Sequence, residues 1–367
     1  MKYFRLGDIA PIEQGYVEKA ESYWLLNLDK IESNTGKITE YNYVTQNQLK
    51  GAIISFDTSN VLYSKLRPYL NKVVVPKMPG YATSELLPLR PNKEIIDKTF
   101  LAYFLRSPHF VRHINEKSSG AKMPRAKTKD LLMTKVPCPE IDAQKKIVKK
   151  FSRLEKVINC KKEEIQLFDE LIKARFVEMF GDPGTPGQRY PTDKLGNVAF
   201  VKSSHRVFTT EFVEKGIPFF RGTEIGILAE GGIPKDPFYI TEKKYKELAS
   251  DESKPLVGDL LMPSICNKGQ VWMVDTEKPF YYKDGRVLCI SPNRNIFDSK
   301  YLQFYLKLRT EIEYPKLGSG STFAEFKIFQ LKELEVDLPP KYMQERFKNF
   351  IMQVDKSKFL YLRKDML

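Results

Sequence analysis

The sequence predicts an α+β fold in which two similar α/β domains are separated by two long antiparallel coiled-coil helices, with an internal repeat of pseudo-twofold character. Three observations predict this fold. An ordered set of motifs occurs twice, short β-like runs precede an apolar helix in each copy, and a heptad pattern follows. The predicted boundaries are 1–140 for the first domain, 141–182 for the first long helix, 183–339 for the second domain and 340–367 for the second helix.

The repeat shows in matching segments at the start and at the end of each copy, whereas the middles differ. The opening Leu6-Gly7-Asp8-Ile9-Ala10 recurs as Leu195-Gly196-Asn197-Val198-Ala199, and Val136-Pro137-Cys138-Pro139 with Gln144 recurs as Val336-Asp337-Leu338-Pro339 with Gln344. A shared frame around divergent centres is typical of one scaffold that carries two recognition surfaces.

Within each copy, β-branched and aromatic runs bounded by Gly, Pro and Asn predict strands, for example at 72–75 and 270–274. A short apolar helix is predicted at 98–106 in the first copy and at 298–309 in the second. A small polar loop, a Pro-bounded strand and the long helix follow in each copy.

The long helices carry apolar residues at alternating steps of three and four, which is the seam of a coiled coil. We expect the two seams to pack together and to be buried. The predicted seam residues are Ile147, Phe151, Leu154, Ile158, Ile165, Phe168 and Ile172 in the first helix and Phe347, Ile351 and Val354 in the second.

The net charge of +14, from 60 Lys and Arg against 46 Asp and Glu, favours a polyanionic partner because each phosphate contact releases counterions. No apolar run reaches the ~20 residues of a membrane helix. The N-terminus lacks a signal-like apolar core, and the four cysteines form no C-x-x-C pair. We therefore expect a cytoplasmic protein with no membrane partner.

Basic residues in the divergent middles are the candidates for DNA contact, and arginine can bind guanine with two hydrogen bonds. Arg67 and Arg221 are the preferred base readers. The candidates are Lys65, Arg67, Lys122, Arg125 and Lys127 in the first copy and Lys202, His205, Arg206, Arg221 and Lys268 in the second.

No pattern of a catalytic site is present in the sequence. It has no Asn/Asp-Pro-Pro-aromatic motif of an amino-methyltransferase, no G-x-x-x-x-G-K-[ST] loop and no G-x-S-x-G elbow. His109 and His113 are four residues apart, but no third ligand is evident, so we expect no metal site. The sequence thus favours a binding protein over an enzyme.

Together these segments resemble the specificity subunits of type I restriction-modification systems. The resemblance covers essentially the whole chain. Its motifs are Leu6-Gly7-Asp8-Ile9, Tyr63-Ser64-Lys65-Leu66-Arg67-Pro68, Pro124-Arg125-Ala126-Lys127, Val136-Pro137-Cys138-Pro139, Phe176-Val177-Glu178-Met179-Phe180-Gly181-Asp182 and Ile217-Pro218-Phe219-Phe220-Arg221-Gly222.

The resemblance implies two target recognition domains that read a bipartite, asymmetric double-stranded DNA target. It also implies two modification subunits that bring S-adenosylmethionine and restriction subunits that use ATP and Mg²⁺, with no cofactor bound by this chain. It places the protein at the nucleoid of a bacterium or an archaeon. One departure is the second helix, which is shorter than the first and does not repeat the Phe-Gly-Asp ending.

Two alternatives remain open at this point. The chain could be the recognition portion of a combined methyltransferase-nuclease, although it opens directly on recognition-like sequence. It could also be a coiled-coil adaptor that does not bind DNA, in which case its binding would not weaken as salt rises.

Overall fold

The structure, a computed structural model, describes residues 2–120, 122–249, 252–318 and 324–363, and side chains of the last helix are described to Lys358. The chain divides into two compact units, Met1–Lys161 (unit 1) and Lys162–Leu367 (unit 2). Most of the predicted polar loop of the second copy, at 319–322, and the four residues 364–367 lie outside the described residues.

Unit 1 begins with short strands and ends with helices. Strand β1 pairs antiparallel with β9, a second sheet has the order β3-β2-β7-β4, and a third has the order β6-β5-β8. The elements are β1 (Lys2–Arg5), α1 (Leu6–Ile9), β2 (Tyr23–Leu26), β3 (Tyr43–Val44), β4 (Ile53–Phe56), β5 (Val61–Ser64), β6 (Val73–Val74), β7 (Gly80–Thr83), β8 (Leu86–Leu89), α2 (Lys98–Arg106), α3 (Pro108–Glu116), α4 (Thr128–Leu132), β9 (Lys135–Cys138) and the start of α5 (Ile141–Phe180).

Unit 2 holds the end of α5 and opens and closes with the same elements as unit 1, but helices α7 and α8 interrupt its strands. Strand β10 pairs antiparallel with β18, and the other sheets have the orders β11-β17-β14-β15 and β13-β12-β16. The elements are β10 (Thr192–Lys194), α6 (Leu195–Val198), β11 (Ala199–Lys202), β12 (Ile217–Phe220), α7 (Gly222–Ala229), β13 (Phe238–Ile240), α8 (Glu242–Leu248), β14 (Leu260–Pro263), β15 (Trp272–Met273), β16 (Tyr281–Tyr282), β17 (Val287–Pro292), α9 (Ser299–Glu313), α10 (Ile328–Lys332), β18 (Glu335–Asp337) and α11 (Lys341–Arg363).

The predicted apolar helices are confirmed as α2 and α9, but they differ in length. In the first copy Ser107 leaves the helical conformation and Pro108 starts the separate helix α3, because a residue before proline disfavours helical backbone angles. The second copy has no proline there, and α9 continues to Glu313 instead of ending at the predicted residue 309.

In unit 1 the buried amide of Gln144 joins α5 to the rest of the unit. Its Nε2 donates to the carbonyl oxygens of Ile95 (2.9 Å) and Pro139 (2.8 Å), and its Oε1 accepts from the backbone N–H of Asp97 (2.9 Å). The side chain therefore satisfies three backbone groups at the start of the long helix.

Gln344 makes the same set of bonds in unit 2. Its Nε2 donates to the carbonyls of Ile296 (2.9 Å) and Pro339 (2.8 Å), and its Oε1 accepts from the N–H of Asp298 (2.8 Å). The predicted internal repeat is thus confirmed at the level of individual hydrogen bonds.

Helix α5 runs over the predicted span and ends at a glycine. Gly181 has φ of +91°, a left-handed conformation that glycine adopts without steric cost, and its N–H bonds the carbonyl of Val177 at 2.9 Å. Although α5 spans 40 residues, neither it nor any other helix in the described ranges is apolar enough to cross a lipid bilayer.

In unit 2 the end of α5 packs antiparallel against α11, as the seam predicts. The rings of Phe180 and Phe347 are 5.5 Å apart near one end of the contact, and Lys358 reaches Asp169 at 2.5 Å toward the other. Ile172 is buried in this contact, together with Ile351 and Val354, whereas Ile165 and Phe168 are half-buried.

In unit 1 the prediction of a buried seam is wrong for Phe151, Leu154 and Ile158. Their exposed fractions are 46%, 57% and 53%, and Ile147 is half-buried. Heptad spacing shows which residues share a face, but burial also needs a second helix. The ring of Tyr103 on α2 lies 5.2 Å from that of Phe151, but this contact leaves much of the face exposed.

Candidate nucleic-acid interface

Two chain segments of unit 1 meet and bring predicted DNA-contacting residues together. The N–H of Arg67 donates to the carbonyl of Pro124 at 2.7 Å, and the N–H of Ala126 donates to the carbonyl of Lys65 at 2.8 Å. These bonds place Lys65, Arg67 and Arg125 side by side.

Lys122 and Lys127 belong to the same stretch of chain as Arg125, and both are exposed. Because all five predicted basic residues of unit 1 lie on these two joined segments, the structure gathers them into one patch.

Arg67 stands out within this patch for its backbone. Its φ is +49° and its ψ is +66°, a left-handed conformation that costs an ordinary residue roughly 1–2 kcal/mol. Its Nε is enclosed by protein and has no hydrogen-bond partner among the described residues. Strained backbone of this kind is often found where a side chain must be aimed at a ligand.

A charge-reversed ion pair occupies equivalent places in the two units. In unit 1 the Arg125 Nε bonds Glu85 Oε1 at 3.1 Å, and Glu85 directly precedes strand β8. In unit 2 Arg286, which directly precedes β17, contacts Glu325. The repeat thus preserves the contact while exchanging which of the two chain segments carries the cation.

In unit 2 Arg221 is fixed by a carboxylate and a ring, an arrangement we call the Arg221 clamp (Arg221, Glu224 and Phe238). Arg221 follows β12 and precedes the first turn of α7, where Glu224 forms a capping box. Its Nε lies 3.0 Å from Glu224 Oε2 and its Nη2 lies 2.6 Å from Glu224 Oε1. The guanidinium carbon is 4.5 Å from the centre of the Phe238 ring.

The clamp leaves part of the arginine accessible. The Arg221 side chain is 40% exposed, whereas that of Glu224 is 4% exposed. The paired carboxylate uses Nε and Nη2, so Nη1 and the second hydrogen of Nη2 lie outside the clamp. Arg221 is therefore held in one orientation with donors to spare.

The pKa values of Glu224 and Arg221 are both shifted in the direction that favours the charged form. Burial alone would raise the pKa of Glu224, but the hydrogen bonds from Arg221 outweigh it and hold the pKa below its usual value. The hydrogen bond to Glu224 raises the pKa of Arg221 in turn. The clamp is thus an ion pair at neutral pH.

Arg221 also lines a cavity of about 570 Å³ with two cations that the sequence reasoning missed, Lys283 and Arg286. Both flank the turn at Asp284-Gly285, where Gly285 has φ of +61°. An Asp-Gly pair before a β-like run predicts a turn. The basic residues on either side of that turn, Lys283 and Arg286, could therefore have been named as candidates from the sequence.

Lys202 is largely buried and paired with a carboxylate. Its side chain is only 10% exposed, and its Nζ lies 3.8 Å from the Oδ2 of the buried Asp259. The same Nζ bonds the carbonyl of Lys254 at 3.3 Å. This placement argues against a phosphate contact by Lys202.

The other predicted residues of unit 2 lie at the surface. His205 and Arg206 are exposed, and the Arg206 guanidinium lies 5.3 Å from the ring of Phe208. Lys268 is exposed, and its N–H bonds the side chain of Gln270 (3.1 Å), which lines the same cavity as Arg221.

The described part of the chain contains no group of three or more His, Cys, Asp or Glu side chains that could hold a metal ion. The two histidines of the i, i+4 pair, His109 and His113, line a separate cavity beside α3. What the interface offers chemically is therefore cations and hydrogen-bond donors on two similar units.

Comparison with known proteins is consistent with this arrangement. The type I restriction-modification DNA specificity domain family matches residues 1–167 and 191–362, one stretch in each copy of the repeat. The type I restriction enzyme EcoDI specificity subunit of Escherichia coli is 28% identical over 154 residues, which are 42% of this chain and 34% of that protein. The MjaVIII specificity subunit of Methanocaldococcus jannaschii is 30% identical over 296 residues, 74% of this chain and 67% of that protein.

The chain thus spans about a third of the length of the Escherichia coli relative. The solved type I restriction-modification S subunit from M. genitalium superposes on this chain with a TM-score of 0.54 at 14% identity, over 99% of this chain and 91% of the M. genitalium chain. This likeness concerns the fold. Since the family match covers most of both repeats, the chain belongs to the type I restriction-modification DNA specificity domain family.

Proposed function

We propose that the chain is the DNA-binding specificity subunit of a type I restriction-modification complex and that each unit reads one half of a bipartite, asymmetric target. The observation that carries this proposal is that the family match falls separately on each repeat. Each repeat also exposes cations in its divergent middle. The chain performs no catalysis itself in this proposal.

In unit 2 the Arg221 clamp is the proposed base reader. A guanine presents O6 and N7 as acceptors in the major groove, and an arginine that is already oriented pays little entropy to meet them. Lys283 and Arg286 line the same cavity and would bind the flanking phosphates.

In unit 1 the proposed reader is Arg67, with Lys65 and Arg125 beside it and Lys122 and Lys127 as phosphate contacts. In unit 1 the position equivalent to Arg221 is occupied by Asn27. Strand β2 pairs with β7 in the same register as β12 pairs with β16, and Asn27 follows β2 as Arg221 follows β12. Different side chains at equivalent places are what two different half-sites require.

The partners proposed for the chain are two modification subunits that bring S-adenosylmethionine and restriction subunits that bring ATP and Mg²⁺. The family membership supports this part of the proposal, as does the lack of methyltransferase and phosphate-loop motifs in the sequence. Such a complex works in the cytoplasm of a bacterium or an archaeon.

The dependence of binding on salt tests the proposal. We expect the chain's affinity for a duplex that contains its target to fall steeply between about 50 and 200 mM salt, since each phosphate contact adds about 0.9 to the slope of log K against log salt. Replacing Lys122 and Lys127 by methionine should lower the slope by about 2, measured by fluorescence anisotropy.

Lys149 and Lys150 on α5 provide the matched control. Both are exposed and lie outside the basic patch, so their replacement by methionine should leave the slope unchanged. Binding that ignores salt would favour the adaptor that does not bind DNA.

A further inference from the structure

Strand β2 of unit 1 and strand β12 of unit 2 occupy equivalent places in their sheets. Leu26 pairs with Ala82 in the parallel strand β7, and Phe220 pairs with Tyr282 in the parallel strand β16. On the other side of each strand the neighbour is antiparallel, β3 in unit 1 and β13 in unit 2. The residues that directly follow β2 and β12 are therefore equivalent.

These two residues, Asn27 and Arg221, also have similar backbone conformations. Their φ angles are −92° and −95°, and both are extended, with ψ angles of 151° and 180°. Strand register and backbone conformation together fix the direction of the Cα–Cβ bond. The two side chains therefore leave equivalent points of their sheets in the same direction.

Different neighbours surround the two side chains. Glu224, which holds the guanidinium of Arg221, lies three residues after it. The residue three after Asn27 is Lys30, which pairs with Glu40 at 2.5 Å. The Asn27 side chain makes no capping hydrogen bond, and its amide has no partner within the described residues. It is half-buried, with both amide atoms available to a ligand.

The position that Phe238 has in unit 2 is taken by Asn42 in unit 1. Phe238 pairs with Phe219 across β12 and β13. The equivalent pair in unit 1 is Leu25 and Asn42, and the N–H of Leu25 donates to the carbonyl of Asn42 at 2.9 Å. A short amide thus replaces the ring that lies against Arg221. Because asparagine is shorter than arginine, a base must approach it more closely, and the smaller neighbour leaves space for that approach.

Lys65 of the basic patch lies at the place equivalent to Ser264, a residue that lines the cavity beside Arg221. The N–H of Lys65 donates to the carbonyl of Glu85 at 3.0 Å, and the N–H of Ser264 donates to that of Arg286 at 2.9 Å. The carbonyl of each residue also accepts a 2.8 Å hydrogen bond from the segment that follows the polar loop. By this equivalence, the unpaired amide and the basic patch belong to one surface of unit 1.

An asparagine amide is complementary to adenine in the major groove. Its oxygen accepts from the N6 amino group and its nitrogen donates to N7, so the pair has two hydrogen bonds. Guanine presents the acceptor O6 where adenine presents N6, and the amide oxygen would face a second acceptor there. Arginine makes the opposite choice, because it offers donors alone and guanine presents two acceptors.

We propose that Asn27 reads an adenine in the half-site of unit 1, at the step equivalent to the one that Arg221 reads in the half-site of unit 2. The inference rests on the function proposed above and deepens it, since it assigns a base to a residue. The two half-sites then differ at this step, with adenine in one and guanine in the other. Arg67 reads another step of the same half-site as Asn27.

Selection by the full chain from a library of duplexes with randomised sequence measures the base preference at every step. The unmodified chain should enrich a bipartite sequence with an invariant adenine in one half. Asn27→Ala should lower the preference for adenine at that step by roughly 5- to 150-fold, the range for one two-bond contact, and leave the other steps unchanged. Asn27→Asp keeps an acceptor but loses the donor, so it should shift the preference to cytosine, whose N4 amino group donates.

Asn159→Asp is the matched control, because Asn159 is exposed on α5 and lies in unit 1. It makes the same change in charge and should enrich the unmodified sequence, and thermal unfolding should show that all variants fold. An unchanged sequence enriched by both Asn27 variants would overturn this inference alone. Enrichment of no sequence by the unmodified chain would overturn the proposed function as well. A change in the half that Arg221→Lys alters would also contradict the assignment, because the two residues belong to different units.

Discussion

The Arg221→Lys variant is expected to lose its preference for guanine at one position of one half-site, by about 1–3 kcal/mol or roughly 5- to 150-fold. Lysine cannot form the two-pronged pair with Glu224 and offers one point charge where arginine offers a planar fork. The measurement is the affinity of the chain for a set of duplexes in which each base pair of the target is changed in turn.

Two companion variants separate base reading from charge. Glu224→Gln weakens the clamp but keeps the arginine, so we expect a smaller loss of preference at the same position. Lys283→Met should lower affinity for every duplex and reduce the salt slope by about 1 without changing any preference. If Arg221→Lys lowered the affinity for all duplexes equally, Arg221 would be a phosphate contact and not a base reader.

The Gln344→Leu variant is expected to destabilise unit 2 by roughly 3 kcal/mol. Gln344 is fully buried and satisfies two carbonyl groups and one N–H of the backbone. Leucine has a similar volume but leaves those groups without partners, and each buried unsatisfied group costs about 1–3 kcal/mol. Urea denaturation, monitored through the unfolding transition of unit 2, measures this change in the free energy of unfolding.

The exposed Gln353 on the same helix is the control. Gln353→Leu should change the free energy of unfolding by less than about 0.5 kcal/mol, as surface substitutions usually do. A Gln344→Leu chain as stable as this control would show that the three hydrogen bonds contribute little.

Local sequence patterns were sufficient to predict the repeat and the helices. Matched residues such as Gln144 and Gln344 mark equivalent places because the same backbone groups must be satisfied in each copy. The apolar positions and the Gly181 stop define α5 by themselves. These features depend on neighbours in sequence, so one sequence is enough to find them.

Features that depend on distant pairing were not predictable. The clamp joins Arg221 to Phe238 on strand β13, and the parallel pairing of β12 with β16 has no local signature. Lys202 was a candidate for DNA contact on its charge alone, and its partner Asp259 is far away in sequence. A basic residue in sequence shows charge but not whether a carboxylate already neutralises it.

The burial of the seam shows the same limit. The spacing of Phe151 is as regular as that of Ile351, yet Ile351 is 3% exposed and Phe151 is 46% exposed. Amphipathic periodicity identifies the face of a helix but not what lies against it.

The most direct measurement of the central claim, that each unit reads its own half-site, is an exchange of one unit. Residues 1–135 are replaced by the corresponding region of another member of the family, and methylated sites are mapped in a host that also expresses the modification subunits. One half of the methylated sequence should change while the other half stays as it was. A change in both halves, or in neither, would contradict the account.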